Sequence, residues 1–167
     1  VNSLNRAFVL LTGYYAYGQK DTTPTSGSGG SVNSDVGQFS IYLYNINTIR
    51  VERVSGTTNV WITWQVIECF NQEFIVYEGS QAYSGSTKTY TVNIGEIVNG
   101  SNCFAWVNGA TNNQASVSYV NRVFFTAEVS SGLQSNVILK REATGTASGT
   151  IRWIVVEFNL NKIKSIQ

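Results

Sequence analysis

Apolar residues in this chain come in short runs of Val, Ile, Phe, Tyr and Trp, separated by clusters of Gly, Ser, Thr and Asn. No stretch carries a convincing 3.6-residue apolar period, and there is a single proline. Runs of this length, rich in β-branched and aromatic residues, read as strands. They predict strands near 5–12, 38–44, 48–54, 59–69, 73–79, 87–94, 102–108, 115–129 (with a break around 118–121), 135–141 and 149–158. In 38–44 the alternation is clean. Phe39, Ile41 and Leu43 fall on one face and Ser40, Tyr42 and Tyr44 on the other, as in a half-buried antiparallel strand. Two other stretches, Ile62 to Phe70 and Ile151 to Phe158, are apolar at nearly every position. Both of their faces should be covered, which places them centrally in their sheets.

Those two stretches are copies of one another. Trp64 matches Trp153, Val66 matches Val155, Ile67 matches Val156 and Glu68 matches Glu157. Upstream, Ile49-Arg50-Val51-Glu52-Arg53 matches Val137-Ile138-Leu139-Lys140-Arg141, and Ala7 to Gly13 matches Cys103 to Gly109. Three matched blocks in one order make an internal repeat. The expected fold is all-β, with two tandem antiparallel β-sandwich units of jelly-roll or immunoglobulin-like kind. Unit one spans 1–70 and includes a long loop, 18–37, too polar to bury a core. Unit two spans 74–158, and 159–167 forms a C-terminal tail strand. Ser55-Gly56-Thr57 and Thr144-Gly145-Thr146 look like hairpin turns joining the matched Arg and Trp strands.

The repeat is unequal at its opening. Unit two carries two strands, near 74–79 and 87–94, ahead of the block at Cys103, and unit one has no counterpart to either. Residues 159–167 sit where the opening strand of a third unit would begin. A chain that opens on Val1 is expected to have lost a leader or to be a piece of something longer.

Composition narrows the function classes. Of 167 residues, 43% are hydrophobic but only 13% charged, about half the ~25% usual for a soluble domain. A surface of Ser, Thr, Asn, Gln and Gly suits secreted fibres, virion proteins and lectins, so an extracellular or virion-surface location is expected. The net charge is +1, with Lys and Arg scattered singly, which gives nucleic acid no footing. No apolar run approaches the ~20 residues of a membrane helix. The chain has no histidine, so it lacks an imidazole base and the usual ligand of zinc or haem. No metal or cofactor is expected. Cys69 and Cys103 read as small buried thiols, with a disulfide between them as the alternative.

The blocks Phe8-Val9-Leu10-Leu11-Thr12-Gly13, an Arg-terminated strand, and Trp64-Gln65-Val66-Ile67-Glu68 resemble a tandem β-sandwich repeat of uncharacterised phage virion and bacterial surface proteins. Residues 74–158 fit that whole pattern and 1–70 fit all but its opening. The Trp strand is more distantly similar to those of six-stranded H-type lectins. The resemblance implies a structural or adhesive role and names no catalytic residue.

The residues themselves offer little chemistry. Glu68 and Glu157 lie in different units, so they cannot flank one glycosidic bond as a cleaving pair would. The expected roles are structural pairs, Arg53 with Glu68 and Arg141 with Glu157, each fixing strand register. Gly27 to Gly30 reads as flexible linker and no phosphate-binding motif is present. An enzyme is therefore not expected. The expected function is a structural subunit of an extracellular filament or virion, assembling head-to-tail by strand complementation. Leu160, Ile163 and Ile166 would be the anchors, with Lys162 and Lys164 towards water. The alternative is a carbohydrate-binding, lectin-like adhesion module, in which Tyr14, Tyr15 and Tyr17 stack on a sugar helped by Asp21 or Asp35. At the same end unit two offers Asn108, Asn112, Asn113 and Gln114 without an aromatic cluster. Expected partners are copies of the chain, as a homo-oligomer or polymer, and then surface glycans. Asn99-Gly100-Ser101 is the one N-glycosylation sequon.

Overall fold

The computed structural model of the chain describes residues 1–16, 39–53, 60–111, 124–146 and 148–162. Among these it is all-β, with two single-turn 3-10 segments, Leu4–Arg6 and Gly100–Asn102, and no α-helix. The strands are β1 (Ala7–Ala16), β2 (Ser40–Asn45), β3 (Thr48–Glu52), β4 (Val60–Glu68), β5 (Phe74–Tyr83), β6 (Thr89–Asn99), β7 (Cys103–Ala110), β8 (Thr126–Glu128), β9 (Leu133–Lys140) and β10 (Gly149–Phe158). They follow the β-branched and aromatic runs closely. Of the strand expected over 115–129, β8 is the described part.

All pairings are antiparallel. The sheets are β1-β4, β3-β2-β7-β10-β5 and β6-β9-β8. The repeat reappears as register. Trp64 lies opposite Leu11 and Glu68 opposite Ala7; Trp153 lies opposite Val107 and Glu157 opposite Cys103. Leu11 and Val107 are matched residues, as are Ala7 and Cys103. Even the irregularity recurs, since β1 slips register between Leu11 and Gly13 and β7 slips between Val107 and Ala110. A bulge re-aims the residues at its centre, here Thr12 and Asn108. Gly109, beside the second bulge, has φ +102° and would put a Cβ 2.2 Å from the Phe39 carbonyl oxygen, so only glycine fits.

The expected hairpins do not form. β3 pairs with β2, not β4, and β9 pairs with β6 and β8, not β10. Leu139 of β9 and Trp153 of β10 meet from opposite sides of one core, so their strands belong to facing sheets and cannot be neighbours. The segment after Arg141 is a crossover. It is held by Gly145 N–H donating to the Gly85 carbonyl at 2.7 Å. The matching turn at 55–57 lies outside the described residues.

Three apolar clusters form the interior. The largest gathers Tyr83, Ile94, Val98, Phe125, Val137, Leu139, Ile151, Trp153 and Val155 between β5-β10-β7 and β6-β9-β8. A second joins Ala7 and Val9 of β1 to Ile41 and Leu43 of β2. Alternation along β1 turns Phe8 and Leu10 the other way, against Val76, Ile154, Val156 and Trp106. Phe8 meets Trp106 edge-on at 5.0 Å between ring centroids. β10 is thus buried on both faces, as its sequence implies. β4 is not, for Trp64 is 48% exposed.

At the junction sits Asn108, 2% exposed. Its Nδ2 donates to the Val9 carbonyl at 2.8 Å and the Ile41 carbonyl at 2.6 Å. Those carbonyls belong to β1 and β2, in different sheets, and Ser40 of β2 pairs with Gly109 alongside. One amide therefore ties both sheets of the first half to β7. Asn108→Ala strands two carbonyls and should cost about 2–4 kcal/mol in urea unfolding. Asn108→Asp, which cannot donate, should cost at least as much.

Candidate functional site

The feature that sets the two copies of the repeat apart is the exposure of apolar side chains on β4 and β3. In the second half β10 is flanked by β7 and β5, and β9 by β6 and β8. Among the described residues β4 is paired with β1 alone and β3 with β2 alone. The side chains register the difference. Trp153, Val155 and Leu139 are buried, whereas their matched residues Trp64, Val66 and Val51 are 48%, 37% and 43% exposed. Register and residue type are shared, so what differs is the covering that β5 and β6 supply. β6 brings Ile94 and Val98 into the core. β5 brings Gly79 opposite Trp153, and a Cβ there would lie 2.5 Å from the indole. The ring fits because glycine leaves it room. Among the described residues β4 therefore presents a strand edge bonded on one side only, with Trp64 and Val66 exposed beside it.

A polar cluster joins the halves beside it. Arg152 of β10 bonds Glu52 of β3 at 3.2 Å and lies 3.7 Å over the Tyr42 ring. The Tyr42 hydroxyl donates to Glu52 at 2.8 Å, and Arg50 approaches the same carboxylate at 3.2 Å. Burial pulls Glu52 upward, but the hydrogen bonds from Tyr42 and Arg152 and both guanidinium charges outweigh it and hold its pKa below the usual value. Burial, reinforced by that hydrogen bond, raises Tyr42. Glu78 lines a cavity of about 210 Å³ with Arg152, Tyr42, Tyr44 and Leu4. Burial pushes Glu78 up to about 7, and the Arg152 charge only partly opposes this. Glu78 Oε2 and Arg152 Nε are buried without hydrogen-bond partners.

The residues singled out from the sequence are not gathered in one place. The Arg141–Glu157 pair does not form. Arg141 sends its guanidinium to the carbonyls of Thr87 and Ser84, at 2.9 and 2.5 Å, and lies over Tyr83 and Phe125. Glu157 instead accepts from Asn99 N–H at 2.7 Å and the Tyr77 hydroxyl at 3.2 Å. Tyr83 pairs with Gly149 and Ile75 with Glu157, so the two charges sit at opposite ends of β10. Glu68 accepts from Asn2 N–H at 2.5 Å.

Cys69 and Cys103 are both free thiols, donating to the carbonyls of Phe74 and Asn99. The alternative disulfide is absent. Burial, then the Glu157 charge, push the Cys103 thiol up to about 11, which keeps it protonated at neutral pH.

Tyr14 and Tyr15 pair through their backbones with Ile62 and Trp61. Their side chains, and Tyr17, Asp21 and Asp35 entirely, lie outside the described residues. Asn108, offered as a polar sugar ligand, is consumed at the junction. Asn99 of the sequon uses its side-chain oxygen to cap Ser101 N–H. Leu160 is 60% exposed in a turn after β10, while Ile163 and Ile166 lie outside the described residues.

No protein-family profile, curated protein or solved structure matches the chain. Among the described residues no cluster of three or more His, Cys, Asp or Glu could hold a metal ion. No helix there is long and apolar enough to cross a membrane.

Matched tryptophans in unlike surroundings should respond unequally to truncation. Trp153→Ala is expected to cost about 3–5 kcal/mol, and Trp64→Ala about 1 kcal/mol or less, compared by urea unfolding of the two variants. Glu78 gives a pH signature. Its pKa is 4.5 when unfolded and about 7 when folded, so between those values the folded state holds the extra proton. Stability due to this group is full below pH 4.5, falls as pH rises towards 7, and is flat above. Glu78→Gln should be neutral near pH 4 and stabilising by about 1–3 kcal/mol at pH 8, a difference that unfolding curves at the two pH values will read.

Proposed function

We propose that the chain consists of two tandem antiparallel β-sandwich units, jelly-roll or immunoglobulin-like. On this reading it is a non-enzymatic structural subunit of an extracellular filament or virion, assembling head-to-tail by strand complementation. One observation carries the proposal: among the described residues the Trp strand repeated in sequence and register is bonded on both edges and buried as β10, and bonded on one edge with its tryptophan exposed as β4. An open edge with an apolar floor is a template for another strand. Strand addition gains main-chain hydrogen bonds along its length, and each apolar side chain it fully buries adds about 2 kcal/mol. The tail beyond β10, with Leu160, Ile163 and Ile166, supplies the donor. Donor and acceptor are different surfaces, so the contact is head-to-tail and builds a fibre when its rotation does not close a ring. The low charge density supports a setting outside the cell or on a virion.

The lectin-like alternative draws less support, because Asn108 is spent on the junction and the second half offers no aromatic cluster to match Tyr14, Tyr15 and Tyr17. A glycan array would decide for it if saturable binding were lost on Tyr15→Ala.

The structural proposal is tested by removing residues 163–167. The truncated chain should keep its circular dichroism and unfolding midpoint yet sediment as a monomer, where the full chain forms filaments visible by electron microscopy. Filaments that form normally without those residues would sink it.

A further inference from the structure

The second edge of β4, unbonded among the described residues, can be assigned a specific occupant and register. We infer that the outer edge of β4 receives residues 163–167 of a second copy, with Lys164 opposite Glu68 and Ile166 opposite Val66. This rests on the strand-complementation reading above and gives it atomic content. The argument is positional. Phe74, which opens β5, lies ten residues past Trp64, and ten residues past Trp153 comes Ile163. The segment from Ile163 thus stands to β10 as β5 stands to β4. β5 pairs with the strand matching β4, antiparallel, with Phe74 opposite Phe158, Ile75 opposite Glu157 and Tyr77 opposite Val155. Carrying that register over puts Ile163 at Cys69, Lys164 at Glu68, Ser165 at Ile67, Ile166 at Val66 and Gln167 at Gln65.

Two features of the residues agree with this register. Lys164 meets Glu68 as an opposite charge directly across the pair. Ile166 takes the place of Tyr77, which packs on the core of the second half, and so lies on the inner face over Val66, with Trp64 its diagonal neighbour. The register also removes a difficulty in treating Leu160, Ile163 and Ile166 as three equivalent anchors. Their spacing of three residues does not suit one face of a strand. Ile166 alone points inward, Ile163 points outward, and Leu160 belongs to the turn. Lys164 faces Glu68 and not water.

Cross-linking tests the assignment, in the full chain with Cys69→Ser and Cys103→Ser to remove background thiols. Val66→Cys with Ile166→Cys places two thiols on one face in direct opposition. Ile67→Cys with Ile166→Cys places them on opposite faces. Fluorescence and circular dichroism confirm that each variant is folded. A short bifunctional thiol reagent should turn the first variant into a ladder of covalent multimers and leave the second mostly monomeric. A 66–166 link within one chain, seen as a cross-linked monomer by mass spectrometry, would overturn the inference in favour of the chain's own tail. Equal ladders from both variants would overturn the register. Failure to cross-link, where removal of 163–167 still abolishes filaments, would overturn the register and leave strand complementation standing. Failure of both experiments would remove the two together. As a second reading, Lys164→Glu should weaken assembly at least tenfold at low salt, with Glu68→Lys added to it restoring most of the loss; no response to either would also count against the pairing.

Discussion

A strand that is apolar on both sides has four boundaries to satisfy: two hydrogen-bonding edges and two faces. The whole arrangement follows from how those boundaries are met. β10 has all four, with β7 and β5 on its edges, the large core under Trp153 and Val155, and Phe8 of the first half over Ile154 and Val156. A buried backbone group without a partner is costly, so a strand this apolar is stable in the interior only with both neighbours present. β4 carries the same pattern with fewer of its boundaries met. It persists because one edge is bonded to β1 and Ile62 on its inner face packs with Ala7, Val9 and Ile41.

The bulge is the device that couples the halves. At Asn108 it turns a side chain out of the ladder and into the space between β1 and β2, where a donor is needed by two edge carbonyls. The matched bulge residue, Thr12, instead donates its hydroxyl to Thr63 at 3.1 Å. The same backbone irregularity therefore performs two jobs, and the side chain decides which. Arg152 shows a similar division. It matches Thr63 in the repeat, but in the second half it reaches across to Glu52 and Tyr42. The charges at this junction serve orientation, since a partly buried ion pair gains little net stability against its desolvation.

The strands were legible because β-branched and aromatic runs are local signals, and the register was legible because the repeat preserved it. Sheet partners were not. Ser-Gly-Thr and Thr-Gly-Thr read alike whether the chain turns back within a sheet or crosses a core, and only the meeting of Leu139 with Trp153 distinguishes them. The Arg141–Glu157 pair failed for a related reason. Both residues close a repeat block, but the crossover places those closings at opposite ends. Arg141 therefore caps carbonyls of the β5–β6 turn instead. The junction left no mark in the repeat, because Asn108 and Arg152 are among the positions at which the two copies differ, with Thr12 and Thr63 as their counterparts.

The sheet edges bear on the unbonded side that β4 shows among the described residues. Natural sheets protect an exposed edge by keeping it short, bulged or charged. β8 is three residues long and carries Glu128, which pairs with Lys140. β6 breaks register between Asn93 and Val98 around Gly95, whose φ is +92°. β4 has neither defence. It runs nine residues with Glu68 as its one charge and no proline, and its ladder is regular from Trp64 to Glu68. An edge this long, apolar and even would drive indiscriminate association if it had no partner of its own. Its one charge sits at the end where the proposed strand would bring Lys164, so that partner selection and edge protection fall to the same residue.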